Sequence, residues 1–409
     1  ATIIGIAEDS AVYVVNGTCD ENGQTVVINV DAGAATNPVG FVCDGTNFAG
    51  TIDTTGLADA TYAFTAIVTD TAGNSKTSVT NNITKDATAP TVAITSPADA
   101  SYINIASDSA LFIVMGTCNE VGQTVAIKID GVAATSPSGL LCDGANFSGT
   151  VDTTGITDGS RAITAELSDV GGNTGTSAAN NITKDTVAPI IAMTTPADAT
   201  YIGIAEDSAV YTVNGTCDEN GQTVSIEIDA GAATSQVGFS CDGTNFAGTI
   251  DTTGLANATY AFTAIVSDVA GNSTTTTANS VTKDATAPTV AITSPADASY
   301  INIASDSAFF TVLGSCDEVG QTVVIKVDGV AATSPSGLLC DGANFSGSID
   351  TTGITEGARA FTAELTDAGG NTGTSVTNTI TKDVTAPALA LNAAADVAIA
   401  NLATYSLSG

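Results

Sequence analysis

Aliphatic and polar residues alternate over short stretches of this chain, and this period of two predicts half-buried β-strands. Val26, Ile28 and Val30 form one such stretch, and the equivalent positions stay aliphatic in three later copies of it. The polar residue between them varies, since Asn29 is replaced by Lys128 in the next copy. One face of this strand is therefore expected in a core and the other in solvent.

Turn signals separate the predicted strands. Asn22-Gly23 and Asp44-Gly45 favour tight turns, because these residue types tolerate the backbone angles that such turns need. No stretch combines a helical period with capping residues at both ends. About seven short strands in each repeating unit predict an all-β fold, an immunoglobulin-like β-sandwich.

The whole pattern recurs at intervals of 99 residues, as Cys19 and Cys118 illustrate. A fixed period of this size predicts a tandem array of separately folded domains that forms an elongated rod. Residues 43–58 recur unchanged at 241–256, so two types of domain alternate. The predicted domains, called modules 1 to 5 below, are residues 1–88 (without the first strand of the others), 89–187, 188–286, 287–385 and the incomplete 386–409.

Each complete module contains two cysteines that are 24 residues apart. Paired cysteines in a β-rich chain predict disulfides formed in an oxidising compartment, and two reduced core thiols per module are the alternative. The expected pairs are Cys19 with Cys43, Cys118 with Cys142, Cys217 with Cys241, and Cys316 with Cys340.

The composition narrows the classes of function. The chain has 9 basic and 43 acidic residues, no histidine and a formal net charge of -34. This charge repels nucleic acid and anionic membranes, and neither is expected as a partner. Without histidine or an unpaired cysteine there is no nucleophile and base to nominate, so an enzyme is not expected. Calcium remains a candidate ligand because it binds oxygen atoms.

Consecutive modules are joined by short segments such as Asp86–Pro90, without a flexible linker, and proline restricts the backbone. If the first and last strands run in the same direction, acidic side chains from two modules meet at each joint. The candidate calcium ligands are Asp9, Asp86, Glu120, Asp169 and Asn173 at the first joint, Asp108, Asp185, Glu219, Asp268 and Asn272 at the second, and Asp207, Asp284, Glu318, Asp367 and Asn371 at the third. The alternative is that the Asp-x-x-Gly-Asn segments are plain hairpin turns.

The amino-acid sequence of the modules resembles a known class of proteins. The chain resembles bacterial Ig-like tandem repeats of large extracellular surface adhesins. The resemblance rests on four sequence segments that occur in this order: TKDATAPTVAITSPADASYIN, GTCDENGQTV, CDGTNFAGTIDTTGLADATYAFTA and VTDTAGN. The resemblance covers modules 1 to 4 and the start of module 5. It implies a cell-surface array that spaces an adhesive tip from the cell or builds a fibre, and it names no adhesion target.

The function expected is therefore a stiff, non-enzymatic spacer or filament-building segment in cell-surface attachment. The alternative is an array of carbohydrate- or protein-binding modules that acts by avidity. No stretch resembles a membrane span. Odd modules carry Ile67 and Ile265 where even modules carry Glu166 and Glu364, which suggests a lateral self-association at every second module.

Residues 386–396 (APALALNAAAD) match the first strand of modules 2 to 4, whereas Ala1 aligns with Ala199, after that strand. The tail of one copy is thus a candidate donor strand for module 1 of the next copy, which would build a head-to-tail filament. The alternative is a segment of a longer array in which the same junction is covalent.

Overall fold

The computed structural model describes residues 2–334 and 337–391. This part of the chain is built from β-strands, turns and loops. Among the described residues no helix is long and apolar enough to cross a membrane. The prediction of an all-β fold is confirmed.

The strands of the four modules occupy equivalent positions, apart from the first strand and a short variable one. Module 1 contains β1 (Thr2–Ile4), β2 (Tyr13–Thr18), β3 (Val26–Val30), β4 (Gly33–Ala34), β5 (Asn47–Ile52), β6 (Ala60–Thr69), β7 (Ser75–Thr77) and β8 (Asn81–Lys85). Module 2 contains β9 (Val92–Ser96), β10 (Tyr102–Ile103), β11 (Phe112–Cys118), β12 (Val125–Ile129), β13 (Val132–Ala133), β14 (Thr135–Ser138), β15 (Asn146–Asp152), β16 (Gly159–Ser168), β17 (Thr174–Thr176) and β18 (Asn180–Lys184).

Module 3 contains β19 (Ile191–Thr195), β20 (Thr200–Ile202), β21 (Tyr211–Cys217), β22 (Val224–Ile228), β23 (Gly231–Ala232), β24 (Val237–Cys241), β25 (Asn245–Ile250), β26 (Ala258–Ser267), β27 (Ser273–Thr275) and β28 (Asn279–Lys283). Module 4 contains β29 (Val290–Ser294), β30 (Tyr300–Ile301), β31 (Phe310–Cys316), β32 (Val323–Val327), β33 (Val330–Ala331), β34 (Asn344–Ile349), β35 (Gly357–Thr366), β36 (Thr372–Thr374) and β37 (Asn378–Lys382).

Module 2 shows the complete arrangement. One sheet has the order β14-β15-β11-β9, and the other has the order β10-β18-β16-β12-β13 with β17 beside β16. The first strand of the module is split between them: β9 runs antiparallel to β11, and β10 runs parallel to β18. Val114, Ile127 and Leu167 are buried between the sheets. This is the β-sandwich that the alternating pattern predicts.

The chain divides into two compact units. Unit 1 is residues 1–188 with the turn Asp268–Asn272, and unit 2 is residues 189–267 and 273–409. Each unit contains two of the predicted modules, and each of the four modules has its own cluster of buried hydrophobic residues. The exact module boundaries stay a prediction.

Four disulfides lie within single modules, and the described residues contain no free cysteine. The pairs are those expected from the spacing: Cys19–Cys43, Cys118–Cys142, Cys217–Cys241 and Cys316–Cys340. Each links the strand that corresponds to β2 or its end to the segment 24 residues later, and so closes a short loop over one edge of the core. A crosslink of this kind stabilises a domain by about 3 kcal/mol, chiefly through the unfolded chain.

Module 1 differs from the other three at one edge. In the described part of module 1, β2 pairs only with β5, whereas its counterpart β11 also pairs with β9. The position that β9 occupies in module 2 is an open groove in module 1, with a volume of about 470 Å³. Val15 and Val68 on its floor are half-buried, whereas their counterparts Val114 and Leu167 are fully buried.

Candidate functional site

The joint between modules 1 and 2, within unit 1, is organised around Asn173. Asn173 lies in the turn between β16 and β17, and its side chain is buried. Its Oδ1 accepts a hydrogen bond from the backbone N–H of Ile6 at 2.5 Å, and its Nδ2 donates to the backbone oxygen of Asp86 at 2.7 Å. A single amide from module 2 thus binds the segments that follow β1 and β8 of module 1.

The turn that carries Asn173 is itself held by Asp169. Asp169 Oδ1 accepts from the Asn173 N–H at 2.9 Å, and Asp169 Oδ2 accepts from Asn173 Nδ2 at 2.8 Å. The predicted alternative, in which Asp and Asn of this segment stabilise their own turn, is therefore part of the structure. The same turn serves the joint because its amide group has further hydrogen-bonding capacity.

The connecting segment is fixed by both modules. Asp59, in the turn before β6, accepts from the backbone N–H of Ala87 and from the hydroxyl of Thr88. On the other side, the N–H of Thr91 donates to Asn119 Oδ1 at 2.8 Å. Few backbone groups of this linker depend on solvent alone, so its conformation is restrained beyond what Pro90 imposes.

At this joint the carboxylate of Glu120 lies near those of Asp169 and Asp86. Burial raises the pKa of Glu120, and the negative charges of Asp169 and Asp86 raise it further. The same arrangement occurs within unit 2, where burial and the charges of Asp317, Asp367 and Asp284 raise the pKa of Glu318. The structure therefore brings together Asp86, Glu120, Asp169 and Asn173, four of the five residues predicted for the first joint.

Asp9 is the exception, and its expected position is corrected. Its Oδ2 forms an ion pair with Lys85 Nζ at 2.8 Å, and its Oδ1 accepts from the Thr54 hydroxyl at 2.9 Å. Lys85 is buried and also donates to the backbone oxygen of Thr54. The carboxylate is held within module 1 because an unpaired buried ammonium would be strongly unfavourable. The equivalent pairs are Asp108–Lys184, Asp207–Lys283 and Asp306–Lys382.

The other candidate residues follow the same pattern. In unit 1, Asn272 donates to the backbone oxygen of Asp185 and accepts from the N–H of Ile105, with Asp268 holding its turn. In unit 2, Asn371 donates to the backbone oxygen of Asp284 and accepts from the N–H of Ile204. Glu219 follows β21 and belongs to unit 2.

The joints are not preformed metal cages. Among residues 2–334 and 337–391 there is no group of three or more His, Cys, Asp or Glu side chains arranged to hold a metal ion. The amide oxygen of Asn173 is already bound to the N–H of Ile6, and Asp9 is bound to Lys85. Of the predicted set, only Asp86, Glu120 and Asp169 remain as candidate ligands, and their side chains would have to rearrange to meet at one ion.

The sequence analysis did not predict that the residue facing the next module alternates between glycine and asparagine along the chain. Gly5 lies so close to the next module that a β-carbon there would stand 2.4 Å from the backbone oxygen of Gly171. The equivalent residue of module 2 is Asn104, whose Nδ2 donates to the backbone oxygen of Ala270 at 2.9 Å. The signal was present, since the glycine recurs at Gly203 and the asparagine at Asn302 in the two-module repeat.

The predicted lateral contact gains no support. Ile67 and Ile265 are half-buried, and neither belongs to the exposed large hydrophobic residues. Their counterparts Glu166 and Glu364 form ion pairs with Lys128 and Lys326. The difference between the module types is thus accommodated within each sheet.

Similar solved structures include three adhesins or adhesion proteins. One is a Ca2+-stabilized adhesin that helps an Antarctic bacterium reach out and bind ice, with 26% identity, a TM-score of 0.35, and coverage of 93% of this chain and 96% of that chain. The second is a tetra-tandem repeat in the extending region of a large adhesion protein, with 20% identity, a TM-score of 0.34, and coverage of 93% and 97%.

The third is a 1.5-MDa bacterial ice-binding adhesin, with 20% identity, a TM-score of 0.31, and coverage of 73% of this chain and 100% of that chain. No protein-family model and no curated protein matches the chain. The similar structures belong to the class that the sequence resembles.

Proposed function

We propose that this chain is a structural segment of an extracellular bacterial surface adhesin or fibre, in which the modules act as a stiff spacer. The observation that carries the proposal is the joint, where one buried asparagine binds two backbone segments of the preceding module. The equivalent bonds recur within unit 2 at Asn371. Repeated restraint of module orientation is what a spacer needs, and a set of independent binding domains has no such requirement.

The composition supports this role. Disulfides persist in an oxidising, extracellular environment, and each complete module has one. The formal net charge of -34 keeps a long array soluble, and the absence of histidine removes the commonest general base. The function is therefore non-enzymatic, and the partners of each module are the modules before and after it.

The second part of the proposal is that calcium binds at the joints. Asp86, Glu120 and Asp169 would hold the ion at the first joint, and Asp284, Glu318 and Asp367 at the third. Burial raises the pKa values of Glu120 and Glu318, and repulsion by neighbouring carboxylates raises them further; a divalent cation would remove that repulsion. Calcium accepts flexible oxygen coordination completed by backbone carbonyls and water, so it tolerates a site that forms on binding.

Small-angle scattering tests the spacer role directly. A compact chain of this length has a radius of gyration of about 22 Å. Four modules of about 35–45 Å in line would instead give about 40–50 Å. A value near 22 Å would contradict the proposal. A double variant, Asn173→Ala with Asn371→Ala, should broaden the distribution of distances, and the variant Asn74→Ala, in the same turn of module 1, is the control.

Calcium is tested by titrating the chain with calcium after exhaustive chelation. We expect a rise in thermal stability and slower amide exchange at the joints, with magnesium much less effective. Unchanged exchange at the joints in excess calcium would contradict this part and leave the spacer role intact.

A further inference from the structure

A second cavity of module 1 lies where β3 faces the segment before β5. Its volume is about 270 Å³, and its lining includes Val27, Ile28, Pro38 and Val42. Module 3 has a cavity at the equivalent place, lined by the counterparts of most of these residues. The two modules can therefore be compared at this site.

The backbone around this cavity is nearly the same in modules 1 and 3. Asn37 has a φ angle of 47°, and its counterpart Ser235 has one of 52°. Gly40 and its counterpart Gly238 have φ angles of 85° and 86°. These positive angles give the segment the same turn in both modules, so the side chains decide what each cavity can hold.

In module 3, a side-chain amide occupies the inner end of the cavity. Gln236 Oε1 accepts a hydrogen bond from the backbone N–H of Ile226 at 2.8 Å. Its Nε2 donates to the backbone oxygen of Ile226 at 2.9 Å and to that of Ala233 at 3.3 Å. A primary amide can bind both backbone groups of one strand residue because its oxygen and its N–H groups lie side by side. This glutamine identifies the kind of group that the site accepts.

Module 1 presents the same backbone groups without the amide. The N–H of Asp31 donates to the backbone oxygen of Ala63, which lies in β6, and N–H groups alternate in direction along an antiparallel strand. The N–H of Ile28 therefore points away from β6, on the side where Ile28 lines the cavity. Pro38 takes the position of the glutamine and has no side-chain acceptor. The Ile28 oxygen accepts from the N–H of Ala35 at 2.9 Å, but within the described ranges the Ile28 N–H has no protein acceptor and is available to a ligand.

The rim of the cavity differs between the two modules as well. In module 1, Val27 is 46% exposed and Val42 is 52% exposed. Their counterparts in module 3 are Ser225 and Ser240. Apolar side chains thus surround the site that is open, and polar side chains surround the site that the chain fills itself. An apolar rim around a few hydrogen-bonding groups is typical of a binding site.

We propose that this cavity of module 1 binds the side-chain amide of a glutamine in a partner polypeptide. The amide oxygen accepts from the Ile28 N–H, an amide N–H donates to the Ile28 oxygen, and apolar neighbours of the glutamine pack on Val27 and Val42. A carboxylate has no N–H to donate, and the net charge of -34 repels it. A trans secondary amide does not fit, because its N–H and its oxygen point in opposite directions. The site is separate from the joints and does not rest on the spacer role.

The first test uses a short peptide, acetyl-Val-Gln-Val-N-methylamide, whose only primary amide is the glutamine side chain. Nuclear magnetic resonance of the full chain, with isotope-labelled isoleucine, follows the backbone N–H signals. We expect a saturable downfield shift of the Ile28 signal and none of the Ile226 signal, because Gln236 already binds that group. The same peptide with methionine in place of glutamine should bind at least about tenfold more weakly, because it loses both hydrogen bonds. No saturable shift of Ile28, or equal binding of the two peptides, would overturn the proposal.

Substitution of Pro38 should close the site. Pro38→Gln supplies the amide that module 3 has at this position, and we expect it to weaken binding of the glutamine peptide at least about tenfold. The turn already accepts glutamine in module 3, so the variant is expected to fold. Val12→Gln is the matched control, because it adds the same amide at a residue that is 65% exposed and outside the cavity, and should leave binding unchanged. Undiminished binding to the Pro38→Gln variant would contradict the proposal.

The reverse substitutions should open the site in module 3. In the triple variant Ser225→Val/Gln236→Pro/Ser240→Val, the Ile226 signal should respond to the glutamine peptide as Ile28 does. A variant whose Ile226 signal stays unchanged, although module 3 remains folded by the same spectra, would show that the amide and the rim do not define the site.

Propionamide distinguishes a small free amide from a polypeptide. It carries the primary amide without the flanking valines, and should bind at least about tenfold more weakly than the peptide, because less apolar surface is buried on the rim. Equal binding would overturn the assignment to a polypeptide partner. None of these outcomes tests the spacer role, which scattering measures separately.

Discussion

Modules 1 and 2 have nearly the same inward-facing residues but different burial. Val114, Ala165 and Leu167 of module 2 are fully buried, whereas Val15, Ala66 and Val68 of module 1 are half-buried. Their strands and disulfides are equivalent, and the difference is the strand β9, which covers these residues in module 2. The comparison identifies the part of the core that the first strand covers, which in module 2 includes Val114, Ala165 and Leu167.

The same two modules also differ at one turn, which lies between β6 and β7 in module 1 and between β16 and β17 in module 2. Asp70 and Asn74 form the turn in module 1, where Asn74 is exposed. Asp169 and Asn173 form it in module 2, where both are buried against the end of module 1. In module 2 the hairpin turn therefore also forms part of a joint, because the Asn173 amide binds Ile6 and Asp86 of module 1.

The largest effect on unfolding free energy is expected at a feature that the two modules share, the ion pair between an aspartate and a buried lysine. Replacement of Asp108 by alanine leaves the Lys184 ammonium buried with only the backbone oxygen of Thr153. We expect module 2 to lose about 3–5 kcal/mol of unfolding free energy, and Asp9→Ala to cost module 1 a similar amount. Amide exchange resolved by module is the measurement, because four modules do not unfold in one step.

The control for this prediction is Glu166→Ala, which breaks the partly exposed pair with Lys128 and should cost at most about 1 kcal/mol. Acid supplies an independent check. Although burial opposes it, hydrogen bonds from Lys184 and Thr153 lower the pKa of Asp108. The pair therefore stabilises the fold above the pKa of the unfolded carboxyl, about 4, and this contribution is lost as the pH falls through the lower folded value. Equal costs for Asp108→Ala and Glu166→Ala would contradict the assignment.

The second prediction concerns a variant in which module 2 resembles module 1. Ile94→Ala removes the side chain by which β9 covers the core, and we expect module 2 to lose about 2–4 kcal/mol. Exchange should accelerate most in β11, and approach the rate in β2 of module 1. Thr95→Ala, on the exposed side of the same strand, is the matched control and should change little. Slow exchange in β11 of the Ile94 variant would show that the cover contributes little to stability.

The third prediction separates the joint from the turn. Asn173→Ala removes the hydrogen bonds to Ile6 and Asp86 as well as those within the turn, and leaves the part-buried N–H of Ile6 without this partner. We expect a loss of about 1–3 kcal/mol, measured as faster exchange at the end of module 1. Asn74→Ala removes only the local bond and should fall within about 0.5 kcal/mol of the unsubstituted chain. Similar effects of the two substitutions would mean that the joint adds nothing to the turn.

Much of this structure could be predicted from the sequence, and the rest could not for physical reasons. The alternation at Val26 and Ile28 predicts their burial, because successive side chains of a β-strand point to opposite faces of the sheet. The meeting of Asp86, Glu120 and Asp169 followed from strand direction alone. Asp9 was misplaced because its partner Lys85 is distant in sequence, and a lysine carries no sign that it will be buried. Hydrogen bonds of Asn173 to the backbone depend on the angle between modules, which no sequence pattern encodes.

The smallest expected effect concerns Glu120, and it also tests calcium. Its raised pKa means that the fold opposes its ionisation, so the joint is most stable below the unfolded pKa of about 4.5 and loses stability as the pH rises through the folded value. At neutral pH without calcium, Glu120→Gln should therefore stabilise the joint, by no more than about 1 kcal/mol. Glu21→Gln, at the same position of module 1, is the matched control, because it lies outside the joint between modules 1 and 2 and should have no effect on exchange there. With calcium bound, the sign should reverse, because Gln removes a charged ligand. Exchange at the joint, measured with calcium and with chelator, distinguishes the two signs, and a stabilisation that persists unchanged in calcium would argue against Glu120 as a ligand.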